Sequence, residues 1–124
     1  MVSKRVVIST IPAKDLARAG KFYSERLGFE PESETQAGIT CKCKDSAFCL
    51  YPTQFAGTAQ HTLTSWRTDS IEKDMEELRG RGVKFEEYDF PGLKTVNGIA
   101  TTGSSTSARF KDSEGNILAI VQMG

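Results

Sequence analysis

Two stretches of the chain set apolar side chains at helical spacing, and strand-like runs flank both. In the first, Leu16, Ala19, Phe22, Tyr23 and Leu27 share one face, while Arg18, Lys21 and Glu25 take the wet side. Asp15 stands before it as an N-cap, and Gly28 follows it as a left-handed terminator. In the second, Ile71, Met75 and Leu78 share a face. Asp69 with Glu72 reads as a capping box there, Glu77 and Arg81 as an i,i+4 pair, and Gly80 and Gly82 as the end. The pattern therefore predicts two helices of equal length, over residues 15–28 and 69–82.

Each predicted helix follows a strand-like run, residues 5–11 (with Val6, Val7 and Ile8) and residues 61–67 (with Leu63 and Trp66). Strands are predicted after the first helix at 29–32, 39–44 and 47–51. After the second they are predicted at 83–88, in a stretch ending near Phe110, and at 117–123. Ile39, Cys41 and Cys43 alternate with Thr40, Lys42 and Lys44, the period of a half-buried antiparallel strand. Asp45-Ser46 and Glu114-Gly115-Asn116 read as tight turns. The order is β-α-β-β-β, twice. It predicts one domain made of two modules, residues 1–53 and 60–124, joined by residues 52–60. Residues 90–107 hold Pro91-Gly92, Asn97-Gly98 and a Thr/Ser run, so a long loop is expected there, able to act as a lid.

Composition narrows the function classes. At 124 residues and 38% hydrophobic, with 11 glycines, the chain can build one core. Sixteen basic residues balance 16 acidic ones, which argues against nucleic-acid and anionic-membrane partners. No apolar run is long enough for a membrane span. The first residues carry no apolar segment of a signal peptide, and an odd set of three cysteines does not read as a disulfide framework. A cytoplasmic location is expected. One histidine excludes any metal site that needs two from one chain.

Specific words accompany the doubled order. Asp15-Leu16-Ala17-Arg18-Ala19 leads to Phe22-Tyr23 and then Leu27-Gly28-Phe29. Near the other end stands Phe110-Lys111-Asp112-Ser113-Glu114-Gly115-Asn116-Ile117-Leu118. Together they resemble the vicinal oxygen chelate superfamily, which holds glyoxalase I, bleomycin-resistance proteins and extradiol dioxygenases. Ser113 replaces the proline usual in that turn. The resemblance implies an α+β fold of two βαβββ modules forming a cupped mixed β-sheet, with the ligand in the cup, and a homodimer. In metal-dependent members four inward His or Glu side chains hold a divalent cation. By register, the corresponding positions are Ile8, Cys49, Leu63 and Ala119. Three are aliphatic and have no lone pair to give a cation. No cofactor is therefore expected. A divalent metal at a site rebuilt around Cys49 and His61 is the alternative.

The remaining candidates sort by strand parity. Cys41 and Cys43 read as core, and so does Trp66. Cys49, Tyr51, His61 and Leu63 share the inward parity, although no base or cation is seen to activate Cys49. Asp112 reads as a cap of its own turn, and Glu86, Glu87 and Asp89 as a solvated run. Gly103-Ser104-Ser105 lacks the lysine and helix of a phosphate loop. The expected function is metal-independent binding of a small apolar or aromatic molecule in the cup. Its expected lining is Ile8, Cys49, Tyr51, His61, Leu63 and Ala119, and no catalytic residue is assigned. The alternative is a metal-dependent lyase, isomerase or dioxygenase, which activity on a glutathione hemithioacetal would reveal.

Overall fold

A computed structural model describes residues 1–124. Strand β1 (Ser9–Ala13) leads into helix α1 (Leu16–Glu25). Asp15 caps α1 by accepting a hydrogen bond from the Arg18 amide at 3.0 Å, and Gly28 leaves it at φ +81°. Strands β2 (Pro31–Thr35), β3 (Gly38–Cys43) and β4 (Ser46–Pro52) complete a sheet of order β1-β4-β3-β2. The helical crossover makes β1 parallel to β4, and the other pairs are antiparallel.

The second half begins the same way, with β5 (Thr62–Arg67) and α2 (Ile71–Gly80). It continues through β6 (Asp89–Phe90), β7 (Leu93–Val96), β8 (Ile99–Thr102), β9 (Ser105–Lys111) and β10 (Ile117–Gln122). Its sheet has the order β5-β10-β9-β8-β7-β6, again with the first strand parallel to the last. The two first strands meet where Ser9 Oγ and Thr64 Oγ1 lie 3.1 Å apart.

One core serves both halves. Ile11, Tyr23, Leu50, Met75, Phe110 and Leu118 are fully buried in it. Burying a side chain of this size contributes about 1.5–3 kcal/mol. Aromatic rings bridge the halves: Phe29 lies 5.5 Å from Trp66, and Phe48 lies 5.6 Å from Trp66. Cys41 is buried and Cys43 packs against the core margin, as their alternation predicts.

Four expectations are corrected. The first strand starts at Ser9, and Val6, Val7 and Ile8 lie outside it, 81%, 83% and 56% exposed. In the parallel register Ser9 faces Phe48, and β4 begins at Ser46, so a partner for earlier residues soon runs out. Residues 83–88 form no strand. Only Phe85 bridges to Phe110, because β8 occupies the rest of that edge of β9. Residues 90–107 form a hairpin meander in place of a loop. Their Gly and Asn residues are tight turns, with Gly92, Asn97, Gly98 and Gly103 all at positive φ. The Thr, Ile and Val residues between them pair as strands. Finally, Ser70 and not Asp69 precedes α2, and it makes no side-chain cap. The first amide, of Ile71, donates instead to Gln122 Oε1 at 2.8 Å.

Candidate ligand site

The sheet face turned away from the helices follows from strand parity. Ile11, Phe48, Leu50, Leu118 and Ile120 point into the core, so Thr10, Cys49, Tyr51 and Ala119 point the other way. Cys49 lies between Thr10 on β1 and Thr40 on β3. It is half-buried, its thiol donating to the Leu50 carbonyl at 3.6 Å. Tyr51 sits beside Pro12 at the end of β4 and is 39% exposed. Ile8 lies just before β1, on the exposed arm.

Leu63 is the extra residue of a β-bulge. Thr62 faces Ile117 and Thr64 faces Leu118, so two steps on β5 match one on β10. The half-buried Leu63 packs against the core margin. His61 is exposed before β5, and its Nδ1 donates to the Thr62 carbonyl at 3.0 Å. Ala119 is only 1% exposed, between Ser65 on β5 and Arg109 on β9.

Arg109 is a candidate group that the sequence did not single out. It is half-buried directly opposite Ala119. Its Nε donates to Thr62 Oγ1 at 2.9 Å, and its Nη1 to Ser107 Oγ at 3.0 Å. The ion pairs of the protein are Arg18–Glu114, Arg81–Glu77 and Lys111–Glu86, so no carboxylate neutralises Arg109. Two hydroxyls hold the guanidinium in place and leave its charge available to an oxygen-bearing ligand. An arginine between Ala108 and Phe110 carries no sequence signal beyond that of an outward strand residue.

The four positions matched by register to a metal site hold one donor between them. Ile8, Leu63 and Ala119 offer no donor atom, and Cys49 alone is one soft ligand. Nor does any group of three His, Cys, Asp or Glu side chains converge elsewhere. Cys41 lies on the opposite, core side of β3. Burial pushes the Cys41 thiol up to about 11, with Cys49 and Glu34 adding to the effect.

Residues 5–120 match the family described as the Glyoxalase/Bleomycin resistance protein/Dioxygenase superfamily. The chain belongs to this superfamily. Solved structures agree in fold. TnmS3, an antibiotic binding protein from Streptomyces sp. CB03234, superposes with a TM-score of 0.76 at 22% identity, covering 100% of this chain and 99% of its own. A putative glyoxalase family protein from Bacillus anthracis gives 0.72 at 15% identity, with both chains fully covered. A glyoxalase/bleomycin resistance protein from the same Streptomyces strain gives 0.69 at 21% identity, covering 94% of this chain and 98% of its own. No curated protein matches the chain. Membership of the superfamily supports the α+β reading of the repeat, and the specific activity rests on the site. No helix is long and apolar enough to cross a membrane.

Proposed function

We propose that this superfamily member binds a small, largely apolar or aromatic molecule on the cupped sheet face, without a metal. The observation that carries the reading is Arg109, half-buried, fixed by Thr62 and Ser107, and free of any carboxylate. Cys49 and Tyr51 share its outward parity and supply surface from the first sheet, while Ala119 beside it is itself covered and Leu63 packs at the core margin. Such a surface with one charged donor fits an aromatic body that carries a carboxylate, phenolate or quinone oxygen. The likeness to TnmS3, described as antibiotic-binding, supports binding over turnover. The aliphatic residues at three of the four superfamily ligand positions support metal independence.

The reading includes a cytoplasmic homodimer. The exposed apolar arm Val6, Val7 and Ile8 leaves surface that a second copy would cover. Light scattering on the purified protein should give the mass of two chains, and a monomer at all concentrations would remove this part.

The test is a thermal-shift panel of aromatic acids, phenols and quinones, with neutral aromatics beside them. Oxygen-bearing anions should raise the melting temperature. Arg109→Gln should weaken the best of them by about tenfold or more, the worth of one charge-assisted contact. Equal binding by Arg109→Gln, or no ligand in the panel, would overturn the reading. Elemental analysis of untagged protein purified without chelator should find no stoichiometric metal. A stoichiometric metal would revive the lyase or dioxygenase alternative.

A further inference from the structure

The face that carries the helices holds a hollow of about 220 Å³. Phe29 closes it from the segment after α1, Trp66 and Phe110 from the second sheet, and α2 from above. Strand parity turns Trp66 and Phe110 away from the candidate ligand site, so the two places lie on opposite faces of the sheets. The helix contributes Asp74, Glu77 and Arg81, a single stripe at i, i+3 and i+7.

We propose that this hollow is a second binding site, which takes a small organic monocation with an apolar body, such as an arylalkylammonium ion. Three observations lead to it. Arg81 is already engaged, its Nη2 3.5 Å from Glu77 Oε1. Asp74 lies two turns away, about 10 Å along the helix, beyond reach of that pair. It is half-buried, belongs to none of the ion pairs, and lines the same hollow as the aromatic rings. Two carboxylates against one guanidinium leave the lining with one net negative charge.

The third observation is the wall itself. Phe29 and Trp66 stack 5.5 Å apart at a 33° tilt, which gives the hollow π surface beside the free carboxylate. A cation recovers both terms, ion pairing with Asp74 and attraction to the rings. A neutral molecule gains only contact area, and an anion is repelled. Asp74 in the first turn also favours the helix dipole, but that role asks only for exposure. It does not account for a half-buried place against an aromatic wall. The volume falls below the roughly 300 Å³ at which drug-sized pockets begin. It matches about seven water volumes, so the occupant is small.

Trp66 is the only tryptophan, so its emission reports on this hollow directly. The experiment titrates the protein with benzyltrimethylammonium chloride, with benzyl alcohol and sodium benzoate as controls at matched ionic strength. The ammonium should change the emission saturably, and added salt should weaken it. The near-isosteric Asp74→Asn, with an unchanged circular dichroism spectrum, should lower its affinity about fivefold to tenfold. Arg109→Gln, on the other face, should leave that affinity unchanged. Equal response to benzyl alcohol, an unaltered affinity in Asp74→Asn, or no saturable change at millimolar ammonium would overturn the proposal. So would tighter ammonium binding in Arg109→Gln, which would place the cation in the other site, where the guanidinium repels it. Binding of the oxygen-bearing anions described above is a separate readout, and either site can fail without the other.

Discussion

Glu114 shows how one carboxylate can join distant parts of a chain. Its side chain is completely covered, yet it is charged. Oε1 accepts from the Lys14 and Asp15 amides at 2.8 Å each, and Arg18 Nε donates to Oε2 at 2.8 Å. Burial alone would push this carboxyl up. The hydrogen bonds from Arg18, Asp15 and Ser113, with the Arg18 charge, outweigh it and hold it at about 2. Because the folded value lies below the ordinary 4.5, the stabilisation is complete above that pH. It is lost as pH falls from 4.5 toward 2, by at most about 3 kcal/mol. Urea midpoints of the wild type should therefore drop across this window. Glu114→Gln should start lower at pH 7, by about 1–3 kcal/mol, and stay nearly flat through it. A wild-type midpoint insensitive to pH between 5 and 2 would contradict the account. In the sequence Glu114 is one acid among sixteen, and only its turn was legible. Its partners on the first module are far away along the chain, and no local pattern points to them.

Secondary-structure elements were legible where local physics dominates. Helix α1 has a spaced apolar face, an Asp cap that works, and a glycine at its end, so all three signals agree. Helix α2 was found by the same spacing, but its cap was not. Gln122 arrives from the last strand to take the Ile71 amide, an interaction set by sheet order. The β7–β8 hairpin reverses the lesson. Asn97-Gly98 is a two-residue turn with both φ positive, read as part of a loop because its strands are short and turn residues crowd around them. Glu87 secures it from outside: its Oε1 accepts from the Thr95 hydroxyl at 2.6 Å and the Gly98 amide at 2.7 Å. These bonds, the Thr95 one foremost, hold the Glu87 carboxyl below its usual range. Glu87→Ala should speed hydrogen exchange at the Gly98 amide while amides of β9 and β10 keep their protection. Unchanged exchange at Gly98 would show that the turn holds without its cap.

Buried contacts join the two modules. The Tyr23 hydroxyl, on α1, donates to Asp112 Oδ2 at 2.5 Å inside the protein, and burial with the Asp112 charge drives that hydroxyl far above its usual value. Asn116 Nδ2 reaches the Pro12 carbonyl at 2.8 Å. Trp66, on the second module, sits among Phe29 and Phe48 of the first. Unfolding should therefore be one cooperative transition. Trp66 emission and far-ultraviolet circular dichroism should trace the same urea curve, although the fluorophore is a single residue at the junction. Separate midpoints for the two probes would mean that the modules are independently stable.

The sequence by itself determined the things that depend on near neighbours. Apolar spacing set the two helices, alternation set strand β3, and turn residues set most of the boundaries. The repeated order with its two motifs was enough to point to the superfamily. Tertiary structure decided what depends on partners far along the chain. A strand continues only while a neighbour supplies hydrogen bonds, so the apolar run Val6, Val7 and Ile8 stayed outside β1. A bulge changes what faces a strand without changing its residues, so Leu63 came to pack at the core margin. An arginine's role depends on which carboxylates lie near it in space. Arg18 found Glu114, whereas Arg109 found only hydroxyls, and linear order could not tell the two apart.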